Sequence, residues 1–340
     1  MTMRISCVIL TRNEEARIAQ CIDSLLIQKE VVKYLEVIIV DGHSTDSTRE
    51  IVKTYVDTYS EVKLIECHKW GYSYQRNIGV NCANGDYILF ISGDAYSSKN
   101  LLKKYVSYIN LGYEVIQGSI INISNAKFFS KIMRTLYPSI YSNSMNNKED
   151  ESFSTVNVLI KKDLFNLGKF NESINSMEDK EWFAKIQSLN KVKFIRAKGA
   201  AVHHHIHEDY KQYSKKIFKE AVAIGNITIK EKSKKYNYFG WLSLTNQIIT
   251  LMLFTSIFLF VFPIIPNTFF TIAVFIIMLL LPIIFKIQRK YPRNNTLKYN
   301  EKIALIIYFI SFYIIIPIGI TKGKIIGLKN LYLLKITSYR

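Results

Sequence analysis

Along residues 1–209 the apolar positions come in short blocks whose spacing switches between that of strands and that of helices. Ile5–Thr11 and Val37–Asp41 are β-branched runs of strand length. Between them, Glu14–Gln28 carries Ile18, Cys21, Ile22 and Leu25 at helical spacing, so the chain opens as strand, helix, strand. Ser47, followed three residues later by Glu50, predicts a capping box and a helix through Tyr55. Strands are expected at Val62–Cys67 and Tyr87–Ser92, with a helix at Ser73–Ala83 between them. Farther on the pattern predicts a strand at Thr155–Ile160, a helix at Glu178–Leu189 and a short strand at Lys193–Ala197. Such alternation predicts an α/β class with a doubly wound, mostly parallel sheet. Ligands of these sheets bind at the carboxyl ends of the strands, which is where Thr11, Asp41 and Asp94 fall.

From about Gly240 the pattern changes. Residues 248–265, 268–285 and 303–320 hold no charged side chain and consist mainly of Ile, Leu, Phe, Val and Tyr. At about 1.5 Å rise per residue, a run of this length just covers a hydrocarbon core of roughly 30 Å. Three buried core helices would need a soluble layer of similar size to cover them, and the sequence supplies none. The expected organisation is a globular domain over 1–209, a basic segment over 210–241, and membrane helices with a basic tail over 242–340.

Charge sharpens this division. The net charge of +18 invites a nucleic-acid reading, but its placement argues for a membrane. Lys211–Lys235 carries eight lysines against Glu220 and Glu231, just before the first apolar run. Juxtamembrane lysines fit the cytoplasmic side of a bilayer and attraction to anionic headgroups. No groove-reading helix or aromatic platform accompanies them, so no nucleic-acid partner is expected. Tyr210, Tyr213, Ile217 and Phe218 approximate one helical face, which reads either as a solvated linker or as an interfacial helix. The apolar run within Met1–Leu10 is too short for a signal peptide, so the globular domain is expected in the cytoplasm. The protein is thus expected to be an integral protein of the cell membrane. That orientation puts the basic loop Lys286–Lys302 inside, as the positive-inside rule prefers. A third full span would carry Lys322, Lys324, Lys329, Lys335 and Arg340 outside, whereas a break at Pro317 keeps them inside. Two spans and three spans both stay open. Cys7, Cys21, Cys67 and Cys82 form no CxxC pair and are expected as free, buried thiols.

Candidate chemistry comes from five segments in order. Ser6–Glu15 (SCVILTRNEE), Val37–Asp46 (VIIVDGHSTD), Gly71–Gly79 (GYSYQRNIG), Gly85–Asp94 (GDYILFISGD) and the pair Phe170–Glu172 with Met177–Asp179 together resemble the successive motifs of family 2 glycosyltransferases, which have the GT-A fold. The resemblance spans about Met3 to His207. It implies that Thr11, Asn13, Glu14 and Asp41 line a nucleoside pocket and that Arg76 partners the donor phosphates. It implies that Ser92 and Gly93 border the sugar nucleotide, with Asp94 as a ligand of a divalent cation, Mn²⁺ or Mg²⁺. It also implies that Asp179 is the catalytic base of an inverting transfer. Each residue also has a plainer role: Asp41 as a turn former and Asp179 as a helix cap.

Two features modify the implied picture. The metal motif of the family asks for two carboxylates, and this chain has Ser92 where the first stands. A hydroxyl carries no charge, so metal binding is expected to be weaker or water-mediated. The run Val202–His207 offers histidines to the metal or diphosphate. His203 and His205 share a direction in an extended segment, with His204 as the third candidate. A histidine cluster is also a common surface feature, and Mg²⁺ disfavours imidazole relative to Mn²⁺.

The implied activity is transfer of a sugar from a nucleotide-sugar donor to a membrane-associated acceptor. UDP-sugar is the default donor and GDP-sugar the alternative. The acceptor would be a polyprenyl phosphate, a lipid-linked oligosaccharide or a cell-surface polysaccharide precursor. A sugar-phosphate nucleotidyltransferase would need a Gly-rich loop after the first strand, and Thr11–Glu15 has no glycine. A membrane scaffold that binds nucleotide sugars without turnover is the non-enzymatic alternative, motivated by Ser92.

Overall fold

The computed structural model describes residues 3–123, 153–174, 176–189 and 192–205, together with the isolated positions 215 and 219. The chain divides into two compact units, Met1–Tyr210 and Lys211–Arg340. The fold described below is that of the first. The three expected spans and the basic segment before them lie outside the described residues, apart from positions 215 and 219. Among the described residues, no helix is long and apolar enough to cross a membrane.

Eight strands form one sheet: β1 (Arg4–Thr11), β2 (Tyr34–Asp41), β3 (Val62–Glu66), β4 (Tyr87–Ser92), β5 (Ala95–Ser97), β6 (Val115–Asn122), β7 (Asn157–Lys161) and β8 (Phe194–His204). Among the described residues, five α-helices accompany them: α1 (Ile18–Leu26), α2 (Thr48–Thr58), α3 (Tyr72–Cys82), α4 (Leu101–Asn110) and α5 (Glu178–Leu189). The strand order is β3-β2-β1-β4-β7-β6-β8-β5. β1, β2, β3 and β4 pair in parallel, as does β6 with β8. β7 runs antiparallel to both β4 and β6, and β5 antiparallel to β8. The α/β class is as expected, but the sheet is mixed rather than mostly parallel. Its parallel half is the part whose strands are linked by crossover helices of the predicted length.

The central strands read as continuous apolar runs because both faces of the sheet are covered. Ile5, Cys7 and Ile9 of β1 enter one core with Ile18, Ile22 and Leu25 of α1. Val8 enters a second core with Val80 of α3 and Trp182 of α5. Helix α3 approaches β1 closely because position 79 is glycine. A Cβ there would lie 2.3 Å from Val8 Cγ1.

Several boundaries differ from the sequence pattern for local reasons. Helix α1 starts at Ile18 rather than Glu14, because residues 13–15 are committed to hydrogen bonds with the loop after β2. The capping box at Ser47 is not formed. Its amide donates to Glu15 Oε2, and Asp46 Oδ1 accepts from the Thr48 amide at 3.1 Å instead. β8 continues through His204, past its predicted end at Ala197. Exposed Lys198 and Gly199 (φ +82°) interrupt the apolar pattern, and the pairing with β6 shifts register there before resuming. Cys7, Cys21 and Cys67 are buried free thiols as expected, whereas Cys82 is exposed.

Away from the carboxyl ends, a buried carboxylate ties three segments together. Glu36 of β2 accepts hydrogen bonds from Ser6 of β1, from the amide of Asn84 before β4, and from Lys63 Nζ of β3 at 2.7 Å. Burial pushes its carboxyl up, but the bonds from Lys63, Ser6, Asn84 and Tyr34 outweigh that and hold it at about 2. A carboxyl depressed in the folded state contributes stability above its unfolded pKa and loses it as pH falls. Glu36→Gln is therefore expected to cost about 2 kcal/mol at neutral pH. The loss should shrink as pH falls from about 4.5 towards 2, since the wild type then also protonates. Urea unfolding at a series of pH values checks this, and a pH-independent difference would contradict it.

Candidate functional site

The strand registers bring the chemistry-bearing residues to one end of the sheet. Thr11 pairs with Asp41, Leu10 with Ser92, and Ala95 with His204. Asn157 at the start of β7 pairs with Ile91, so Thr155, two residues earlier, lies at the same end. The Thr155 amide donates to Asp179 Oδ2 at 3.3 Å, which brings the start of α5 there too.

Two loops, after β1 and after β2, form one side of this end. Asp41 is buried, and its carboxylate accepts from the Ser44 amide at 2.9 Å, from the Ser44 hydroxyl, and from Thr11 Oγ1 at 3.3 Å. Asp41 thus organises its own turn at the carboxyl end of β2. Asn13 and His43 both take left-handed conformations, φ 58° and 61°, which let the two loops face each other. The Asn13 amide donates to Ser44 Oγ and its side chain accepts from the Thr45 amide at 2.8 Å. Asn13 therefore clamps loop to loop. Gln75, which the sequence reading passed over, supports this floor. Buried on α3, it donates to the carbonyls of Val40 (2.8 Å) and Thr11 (3.3 Å). A Cβ at Gly42 would lie 2.8 Å from Gln75 Nε2 and 2.9 Å from Trp70 Cδ1, so any larger residue there would displace the Gln75 amide or the Trp70 ring. Trp70 and Tyr72 stand half-exposed beside this floor with ring centroids 5.4 Å apart, and the Arg12 guanidinium lies 5.0 Å over Trp70. The sequence signal for this aromatic pair was its place in the loop entering the Gly71–Gly79 motif.

At the centre, Gly93 is buried between the Leu10 carbonyl and Thr11. Asp94 Oδ1 lies 3.1 Å from Nε2 of His204. Among the described residues, Asp94 Oδ1 and His204 Nδ1 are both buried with no hydrogen-bond partner. Burial pushes the Asp94 carboxyl up, but His204 and the Ser92 hydroxyl outweigh it and hold it at about 2. Glu14 sits near this carboxylate. Burial, and then the charge of Asp94, raise Glu14 to about 7.

The histidines separate. His204 meets Asp94, while His203 stacks on Tyr96 with centroids 4.8 Å apart and planes 13° from parallel. Burial shifts His203 down, favouring its neutral form. The His205 amide donates to the Asp94 carbonyl at 3.4 Å. Alternation along the strand does put 203 and 205 on one side; the side facing Asp94 is that of 204.

Arg76 is buried on α3, and its Nη1 lies 2.5 Å from Glu178 Oε1. Its guanidinium, expected at the donor phosphates, is thus engaged by the residue next to Asp179. Asp179 is half-buried at the start of α5, accepting from Thr155 and from the Lys180 amide at 2.8 Å.

Residues 6–168 match the model of the family described as Glycosyl transferase family 2. That region contains Asp41, Arg76 and Asp94, while Asp179 and His204 follow it. A poly(ribitol-phosphate) beta-glucosyltransferase of Bacillus spizizenii is 36% identical over 108 residues, 31% of this chain and 17% of that protein. A dolichyl N-acetyl-alpha-D-glucosaminyl phosphate 3-beta-D-2,3-diacetamido-2,3-dideoxy-beta-D-glucuronosyltransferase of Methanococcus voltae is 29% identical over 140 residues, 39% of this chain and 44% of that protein. The chain thus spans less than half the length of either relative. Among solved structures, a mannosyltransferase from Pyrobaculum calidifontis, in complex with GDP-Man and Mn²⁺, has a TM-score of 0.63 at 15% identity, covering 96% of this chain and 88% of its own. That likeness is one of fold. With its sheet, its motifs and the matched region in agreement, the chain carries a family 2 glycosyltransferase domain over residues 6–168.

Proposed function

We propose that the protein is an inverting glycosyltransferase that moves a sugar from a nucleotide-sugar donor to an acceptor held at a membrane. The observation that carries this reading is the gathering of Asp41, the Asp94–His204 pair and Asp179 at one end of the sheet. The nucleoside would lie over the Asp41 floor beside Trp70. The diphosphate would point towards Asp94, and the acceptor would enter on the side of Asp179.

A divalent cation fits this site in part. Asp94 has a buried oxygen without a hydrogen bond, and His204 adds an imidazole. Among the described residues no cluster of three His, Cys, Asp or Glu is arranged to hold an ion. A cation would therefore depend on diphosphate oxygens and water to complete its shell, as Mg²⁺ and Mn²⁺ sites on phosphates commonly do. The imidazole favours Mn²⁺. When bound, the ion neutralises the negative charge that builds on the leaving diphosphate.

The chain's own residues do the rest. Asp179 takes the proton of the acceptor hydroxyl while that oxygen attacks the anomeric carbon from the face opposite the diphosphate. The bond to the diphosphate breaks as the new one forms, which inverts the configuration. A polyprenyl phosphate acceptor arrives already anionic, and Asp179 then matters less. The three charge-free runs at 248–265, 268–285 and 303–320, with the lysines before them, support a membrane-anchored protein whose catalytic domain faces the cytoplasm.

The direct test is nucleoside diphosphate release by detergent-purified protein across a panel of UDP- and GDP-sugars, with membrane lipid extract and Mn²⁺, Mg²⁺ or EDTA. Lipid-dependent release from one donor is expected. Donor binding with no release under any cation would sink the proposal in favour of a non-catalytic binder. Asp179→Asn should lower transfer to a hydroxyl acceptor by about a hundred- to ten-thousand-fold, with donor binding near wild type in calorimetry; transfer at the wild-type rate would remove Asp179 from the mechanism. His204→Ala should weaken Mn²⁺-dependent donor binding by about tenfold or more, while His203→Ala leaves it within about twofold. The reverse ranking would place the ion on the Tyr96 side.

A further inference from the structure

One face of α3 grips the segment that leads into α5. Ser73, Arg76 and Asn77 lie at helical spacing, so they project together. Ser73 Oγ donates to the Ile174 carbonyl at 3.4 Å. Asn77 exchanges two bonds with the backbone of Phe170, its Nδ2 to the carbonyl and its Oδ1 from the amide, both at 3.0 Å. The same Nδ2 reaches Glu172 Oε1 at 3.0 Å. Arg76 closes the grip on Glu178, with the Tyr72 and Phe170 rings 5.6 and 5.5 Å from its guanidinium carbon.

Glu178 and Arg76 are 5% and 8% exposed, so each is the counter-charge of the other in a site nearly closed to water. Removing one partner leaves the other buried and uncompensated. Met177, immediately before Glu178, holds φ +64°, a left-handed conformation that a side chain resists. Such a conformation persists only where its surroundings impose it. The Met177 carbonyl accepts from the Glu181 amide at 3.0 Å, and the ion pair anchors the next residue, Glu178, directly before Asp179.

We infer that Arg76 is a positioning residue rather than a phosphate ligand: through its buried pair with Glu178, helix α3 fixes the Met177–Asp179 turn and so sets the direction of the Asp179 carboxylate. The inference rests on the reading of Asp179 as the base. It adds a division of labour within α3, in which Gln75 braces the nucleoside floor and Arg76 braces the base.

The test compares Arg76→Lys, Arg76→Gln, Glu178→Gln and the double variant Arg76→Gln/Glu178→Gln in the full-length protein. Three quantities are read: affinity for nucleoside diphosphate, kcat and KM for a hydroxyl acceptor, and amide exchange over 177–181. Arg76→Gln and Glu178→Gln should each lower kcat by about tenfold or more, with nucleoside diphosphate affinity within about twofold and faster exchange confined to 177–181. Arg76→Lys should retain part of kcat. The double variant, left with two neutral partners, should exceed either single one. Arg76→Gln weakening nucleoside diphosphate binding tenfold while Glu178→Gln does not would make Arg76 a phosphate ligand and overturn the inference, as would unchanged exchange at 177–181. If Asp179→Asn keeps full transfer, the base reading fails by itself, and the exchange data still decide whether Arg76 holds the turn. Where the glutamine variants do not fold, Arg76→Lys and Glu178→Asp carry the same comparison.

Discussion

The register of β1 between its two parallel neighbours is the constraint on which the site depends. Thr11 is fixed opposite Asp41 on one side, and Leu10 opposite Ser92 on the other. A slip of one residue would turn every side chain of β1 to the other face. That slip is blocked from both sides, because Ile5, Cys7 and Ile9 fill one core while Val8 packs in the other. Ser6, on the face of Val8, finds the buried carboxylate of Glu36. Burial in two directions therefore sets the line along which Thr11, Asp41 and Ser92 stand.

Helix α3 converts this line into a site with two sides. Gly79 lets it lie against β1, and from that fixed position its side chains diverge. Gln75 points under the Val40 and Thr11 carbonyls, where backbone acceptors at the strand ends would otherwise lack donors. Ser73, Arg76 and Asn77 reach the other way, to the segment before α5. A movement of α3 would disturb both sides at once. Most of its buried polar residues thus have geometric duties, which accounts for a helix that buries Ser73, Gln75, Arg76 and Asn77 together.

The parallel half of the fold was legible in the sequence because its strands are long, apolar and separated by helices with a clear stripe, as Ile18, Cys21, Ile22 and Leu25 show. The antiparallel half was legible only in part, through β7, expected at Thr155–Ile160. β5 has only three residues, and β6 and α4 lie in a stretch whose pattern names no element. β8 is cut in two by Lys198 and Gly199, so its strand pattern stops at Ala197, and its second half, which delivers His204, was expected only as an extended segment. Thr11, Asp41 and Asp94 were legible as residues at strand ends, whereas Arg76 and Asp179 came only from the motif resemblance. The pairings were not legible. Which histidine meets Asp94 depends on the β5–β8 register, and what Arg76 binds depends on how α3 crosses residues 170–178; neither is encoded in local spacing.

Ser92 gains meaning from the charges around it. A carboxylate there would stand beside Asp94, with Glu14 near both, and crowded carboxylates in a partly buried site resist joint ionisation. With a hydroxyl instead, Ser92 adds to His204 in keeping Asp94 ionised, its carboxyl held at about 2 against burial, while burial and then the charge of Asp94 raise Glu14 to about 7. The site thus presents one firm negative charge and one adjustable one, facing His204. Under the proposed function, a diphosphate would meet less repulsion here than beside two fixed carboxylates. The hydroxyl at position 92 would then weaken the protein's share of a metal site and at the same time lower the cost of seating the diphosphate.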